Sequence, residues 1–290
     1  MMRGLDKLAL VLLVVLAVAG KIFSTDENSK RRPDPRQFEP PVVATLPPAN
    51  PKIPDEYRNA PTFDIKVGWE KKNSTGTAFS VGNGVWVTAR HVTDSCDFIG
   101  LQSGPREAIR VKAVRQEGNA DISILKTDQG SPSLPVANTS LKRGQKGWSF
   151  GYPQGQPGDV YGTMIGKAKM RAHGRYSSIE PVIAWTQMRR IPDIGTDLSG
   201  ISGGPWLDQS GRVIGVHVAG APRRGRSFST DPSTLLAALD RSGIKPSNYQ
   251  GMRLDERGFS RAGNELRKSL SISKVLCMVG SKWRRGNSRS

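Results

Sequence analysis

Cysteine, histidine and acidic side chains are scarce in this chain. Only Cys96 and Cys277 occur among 290 residues, too few for a disulfide framework, and the sequence leaves open whether they pair with each other. Three histidines leave few side chains that titrate near neutrality. Twenty-five Asp and Glu stand against 43 Lys and Arg, a net charge of +18. That balance favours anionic contacts but says nothing about fold. No nucleic-acid motif accompanies it. Aromatic residues are 7% of the chain and apolar residues 36%, enough for one large or two small cores and too much for a wholly disordered protein.

Long apolar runs are absent after the start of the chain. There, Arg3 and Lys7 precede Leu8 to Ala19, and Ala17-Val18-Ala19 supplies small residues for cleavage. Residues 1–20 read as a signal peptide, or as a retained anchor if Ile22 and Phe23 extend the run. The expected location is periplasmic or secreted, with inner-membrane attachment in the second case. Residues 21–61 hold nine of the 20 prolines and are expected to form an extended linker without helix or sheet.

From Thr62 the pattern becomes short apolar-alternating segments with turn signals between them, among them GTAFSVG, GVWVTAR, DISILKT, GWSFGYP and RVIGVHVAG. Gly82-Asn83-Gly84 marks a hairpin. A polar connection over 128–147 separates two all-β sets of similar size. Asp231-Pro232 then opens a helix, STLLAALD, that ends at Gly243.

One stretch is costly for any strand or helix. GISGGPWLD, Gly200 to Asp208, places a serine among three glycines, where the backbone can turn tightly and bare N–H donors can flank an exposed hydroxyl. Upstream, His91 ends a strand segment in VTARHV and Asp121 opens another in NADISIL. Serine needs a neutral imidazole to take its proton, and the imidazole needs a carboxylate to hold its tautomer. Asp94 and Asp97 follow His91 too closely to reach back, so Asp121 is the better partner.

The order His91, Asp121, Ser202 with its glycine-flanked serine resembles the chymotrypsin-like serine proteases, with TARHV, NADISIL and GISGGP as the matching segments. The closer likeness is to bacterial Deg-type and glutamyl endopeptidase-like members, over about 62–242. The resemblance implies two six-stranded antiparallel β-barrels with a C-terminal helix, together in residues 62–243. It implies His91 as base, Asp121 as orienter, Ser202 as nucleophile, and the N–H groups of Gly200 and Ser202 as oxyanion hole. No metal or organic cofactor is required. Two departures matter: Ile201 replaces the aspartate that pairs with a freshly cut N-terminus, and Val92 replaces the cysteine of a local disulfide.

The resemblance also locates a specificity pocket. His217, in VIGVHVAG, occupies a context in which related enzymes contact glutamate or glutamine before the scissile bond. Thr196 and Asp197 lie near the pocket base, where an acid would favour lysine or arginine. Val218 and Ala219 would instead admit small apolar side chains. His173 reads as an exposed loop residue. Residues 244–290 form a basic tail, with eleven Lys or Arg against three Asp or Glu, either partly unstructured or carrying a short amphipathic helix with Leu266, Leu270 and Cys277 on one face. Weak, salt-sensitive contact with anionic polymer or a membrane surface follows from that charge. The functional expectation is an exported serine endopeptidase acting on protein or peptide. The alternative is a double-barrel binding protein that acts through its basic surface without useful turnover.

Overall fold

The computed structural model describes residues 40–47, 53–193, 197–221, 225–247 and 249–280. The signal or anchor of residues 1–20, linker residues 21–39 and Thr196 lie outside them. The first set of elements is β1 (Val42–Thr45), β2 (Thr62–Val67), β3 (Ser74–Gly82), β4 (Val85–Thr88), α1 (Arg90–Thr93), β5 (Phe98–Gln102), β6 (Ala108–Arg110), β7 (Ala113–Gln116) and β8 (Ser123–Lys126). The second is β9 (Lys146–Gly151), β10 (Gly158–Gly174), β11 (Ser178–Ile191), β12 (Pro205–Leu207), β13 (Val213–Ala221) and β14 (Arg226–Thr230). Helices α2 (Pro232–Arg241) and α3 (Phe259–Lys268) and strand β15 (Ile272–Met278) complete the fold.

These strands make two curled sheets of the chymotrypsin-like kind. One runs β1-β7-β8-β4-β3-β15-β5-β6 and the other β11-β14-β13-β12-β9-β10-β2, with β10 also pairing β11. In the second sheet the pairings of β9 to β14 return to their start, so six antiparallel strands close on themselves. Trp185 and Trp206 stack within it, with ring centroids 4.3 Å apart and both indoles fully buried. Burying rings of this size contributes much of the barrel's apolar stabilisation. The Gly82-Asn83-Gly84 hairpin forms as expected, with Asn83 at φ 53°. Asp231 caps α2 by accepting from the Ser233 N–H at 2.9 Å.

The first sheet exceeds six strands because segments read as linker and tail, β1 and β15, join it, and the second gains β2 as a seventh. Within the Pro-rich stretch, Val42–Thr45 is a proline-free quartet, β-branched at Val42, Val43 and Thr45, that pairs parallel to β7. The expectation that no strand forms there is therefore corrected. The end of the same segment is also docked: Tyr57 is fully buried and its hydroxyl donates to Asp231 at 2.5 Å. β2 adds parallel to the far half of β10. His173 is exposed but lies in β10 opposite Lys66, not in a loop.

The tail is corrected more deeply. In α3, Phe259, Ala262 and Leu266 face the core, and Arg267 makes a buried ion pair with Asp159 of β10 at 2.7 Å. After Leu270, at φ 59°, the chain runs extended, with Ser273, Val275 and Cys277 buried and Lys274, Leu276 and Met278 half-buried in alternation. A period of two replaces the helical period there, so Leu270 and Cys277 share no helical face with Leu266. β15 enters the first sheet between β3 and β5, which do not otherwise pair. Cys277 is disulfide-bonded to Cys96, with Cα atoms 5.3 Å apart. Residues 281–290 lie outside the described residues.

Candidate active site

α1 is a single turn after β4, and it delivers His91 to the edge of the first sheet. Its ring Nδ1 lies 2.6 Å from Asp121 Oδ2, while the His91 backbone N–H donates to Asp121 Oδ1 at 2.8 Å. Asp121 is fully buried and the His91 side chain is 28% exposed, so one end of the pair is dry and the other reaches solvent. Burial alone would push the His91 imidazole down, but the charge of Asp121 and its hydrogen bond outweigh that and raise it above its ordinary value. Burial would raise the Asp121 carboxyl, yet the facing His91 and the hydrogen bonds that Asp121 accepts hold it below the usual carboxylate range.

Ser202 sits on a tight turn before β12. Gly200 has φ +101° and Gly203 φ +87°, conformations that glycine adopts without strain. A Cβ on Gly203 would come within 2.2 Å of Thr88 Oγ1 and 2.8 Å of the Ala89 nitrogen. The nucleophile turn thus lies against the residues that lead into His91. Thr77 of β3 holds it there: its N–H donates to the Ser202 carbonyl at 2.8 Å and its hydroxyl to the Gly200 carbonyl at 2.8 Å. The same hydroxyl accepts from the Tyr152 N–H at 3.0 Å. The N–H groups of Ile201, Gly203 and Gly204 are used within the site, on Leu198, His217 and Ile201 carbonyls.

The pocket residues are distributed differently from expectation. His217 is 1% exposed, with its ring stacked on Trp206 and Nδ1 at 3.5 Å from Ser149 Oγ. Burial, then the neighbouring His91, push its imidazole down to about 3, so it is neutral at physiological pH. Asp197 is exposed and its carboxylate accepts from the Ser199 N–H at 2.8 Å, closing a local turn. Val218 and Ala219 do reach the cleft beside His91. That cleft holds about 550 Å³ and is also lined by Val67, Lys71, Lys72 and Gly220. Pairing between β13 and β12 ends at Val216.

Three side chains absent from the sequence reading also meet the His91–Asp121 pair. Arg90 lies with its guanidinium 4.0 Å from the Tyr176 ring centroid, the Tyr176 hydroxyl donates to Asp121 Oδ1 at 3.1 Å, and Glu180 Oε1 accepts from the Asp121 N–H at 2.8 Å. Glu180 had a legible signal, since in SIEPVIAW it shares inward parity with Val182. Tyr176, in a turn, had none. Among the described residues no cluster of three or more His, Cys, Asp or Glu is placed to hold a metal ion.

A family profile described as the trypsin-like peptidase domain matches residues 76–216. No curated protein matches the chain in sequence. Among solved structures, the Rv3671c protease from M. tuberculosis in its active form is similar at 18% identity, TM-score 0.49, over 77% of this chain and 96% of that one. The MamO protease domain from Magnetospirillum magneticum gives 17% identity and TM-score 0.45, over 58% and 94%. The HtrA-type protease AlgW, solved with a decapeptide, gives 21% and 0.45, over 57% and 50%. Residues 76–216, the segment that carries His91, Asp121 and Ser202, thus match the trypsin-like peptidase domain of serine endopeptidases.

Proposed function

We propose that hydrolysis runs through Ser202 as nucleophile, His91 as general base and Asp121 as the group that fixes the imidazole. The observation that carries this reading is the buried Asp121 carboxylate held on both the ring and the backbone of His91. Asp121 keeps the proton on Nδ1, which leaves Nε2 free to accept the Ser202 hydroxyl proton. Its charge also stabilises the imidazolium formed as the Oγ–carbonyl bond forms. The N–H groups of Gly200 and Ser202 then receive the oxyanion, and His91 returns its proton to the leaving amine as the acyl-enzyme forms.

Labelling by an active-serine phosphonate, wild type against Ser202→Ala, tests the assignment. Ser202→Ala or His91→Ala alone should cost on the order of 10⁶ in kcat, because such residues act as a unit. Stoichiometric labelling and unchanged hydrolysis in both variants would remove it. Because the His91 imidazole is raised and must be neutral to act, kcat/KM should climb with pH through a midpoint above 6.5.

The burial and neutrality of His217 leave a preference for glutamate or glutamine without a charged donor, and favour small apolar side chains beside Ala219. Lys71 and Lys72 on the rim would add attraction for acidic residues elsewhere in the peptide. A peptide library profiled with wild type and His217→Ala decides: selection of glutamate or glutamine that vanishes in the variant restores the His217 role. Export follows from residues 1–20, and the Cys96–Cys277 disulfide supports an oxidising compartment. Fractionation showing intact Met1 on cytoplasmic protein would overturn it. Contact with anionic polymer would draw on the overall charge of +18.

A further inference from the structure

The turn between β10 and β11 reaches from the second barrel to the buried half of the His91–Asp121 pair. Asp121 Oδ2 faces the His91 ring; Oδ1 accepts from the His91 N–H and from the Tyr176 hydroxyl. Two of these three donors belong to His91 itself. Among the described residues Tyr176 is therefore the one donor that holds the carboxylate independently of the residue it must orient. Its ring is 8% exposed and is fixed in turn by Arg90, whose Nη1 donates to the Glu117 carbonyl at 2.9 Å. Four residues along, Glu180 fixes the Asp121 peptide from the opposite side.

We propose that Tyr176 and Glu180 are positioning residues for the hydrolytic reaction, through which the β10–β11 hairpin of one barrel sets the orientation of Asp121 in the other. A hydroxyl donating to a carboxylate makes a charge-assisted hydrogen bond, stronger and more directional than a neutral one. Losing it frees Asp121 to turn with His91 instead of steering it. Glu180 acts as a neutral acceptor. Among the described residues its Oε2 has no hydrogen-bond partner, and burial with the adjacent Asp121 charge raises its carboxyl well above the usual range. A second anion at this place would push the Asp121 carboxyl upward by like-charge repulsion and weaken its ionised hold on His91. The other ionisable groups around the pair are Arg90, Asp94, Arg175 and His217.

The proposal rests on the triad reading, so its test includes a signal that does not need turnover. The full chain, Tyr176→Phe, Glu180→Gln and Glu180→Leu are compared for kcat, KM, the pH profile of kcat/KM and the downfield proton resonance of His91 Nδ1–H, with Ser202→Ala as the zero of activity. Tyr176→Phe should lose about tenfold in kcat with KM unchanged, as expected for a hydrogen bond to a charged group. Its acid limb should move to higher pH, because Asp121 then shares its charge with fewer donors, and the resonance should shift. Glu180→Gln keeps a neutral acceptor and should match the wild type, whereas Glu180→Leu should resemble Tyr176→Phe. Wild-type kcat, acid limb and resonance in Tyr176→Phe would overturn the proposal, even with a lowered melting temperature. Equal losses in Glu180→Gln and Glu180→Leu would overturn the neutral-acceptor role. If no variant, nor the full chain, exceeds Ser202→Ala, the triad reading fails, and the resonance still decides whether Tyr176 holds Asp121.

Discussion

The two barrels are completed in different ways. The second closes from consecutive strands β9 to β14 around a stacked Trp185–Trp206 pair. The first, which carries His91 and Asp121, borrows β15 from the far end of the sequence to join β3 to β5, and then covalently ties that strand to the segment after α1. Ser202 thus stands on a barrel that closes on itself, although Thr77 of β3 also holds its turn, while its base rests on a sheet that depends on remote segments. α3 bridges the two, packing on β9 and β10 through Phe259 and the Arg267–Asp159 pair before the chain enters β15.

The sharpest way to break this difference is to end the chain at Leu270. Without β15, the β5–β6 hairpin loses its attachment to β3. Hydrolysis should vanish and exchange protection should collapse in β3 and β5 while persisting in β9 to β14, as read by hydrogen exchange. Uniform loss across both barrels would show that they fold as one unit. Cys277→Ser is a milder cut. Closing a loop across a separation of 181 residues is worth about 5 kcal/mol by chain entropy, and chemical denaturation should show a loss up to that size. No loss would mean that strand pairing alone secures β15.

Protons should act on the other barrel. His217 stays neutral in the fold, at about 3, against 6.5 unfolded, so the stability it secures is present at pH 7 and drains as pH falls below 6.5. That share is about 2 kcal/mol between pH 7 and pH 5. His217→Gln should lack this slope; the opposite-signed contributions of His91 and Glu180 remain in both proteins and cancel in the comparison. The smallest effect belongs to β1. Val42→Pro removes the N–H that donates to the Lys112 carbonyl at 2.9 Å from a side chain 72% exposed, and should cost about 1 kcal/mol in a melt.

The sequence was legible where structure is local. Period-two segments placed most strands near their observed positions, Gly82-Asn83-Gly84 marked its hairpin, and Asp231-Pro232 marked the start of α2. His91 and Asp121 were readable as a pair because each opens or closes a recognisable strand. What escaped was long-range. Nothing local in Ile272 to Met278 says that its partners lie almost 200 residues earlier, and the prolines around Val42–Thr45 hid a strand held only by its edge. The depth of His217 was hidden for a related reason. Its place on β13 was clear, but a bulge between His217 and Ala219 changes which side chains face inward and which reach the cleft.

The position of β15 in chain order also sets a timetable. Synthesis delivers β9 to β14, and with them the turn of Ser202, before Ile272 to Met278 exist. The sheet that orients His91 gains its joining strand only afterwards, and the Cys96–Cys277 bond can form only once both ends are present. A growing chain would therefore carry the second barrel's strands before the sheet beneath His91 is joined, so hydrolysis through the proposed triad should arrive only with β15.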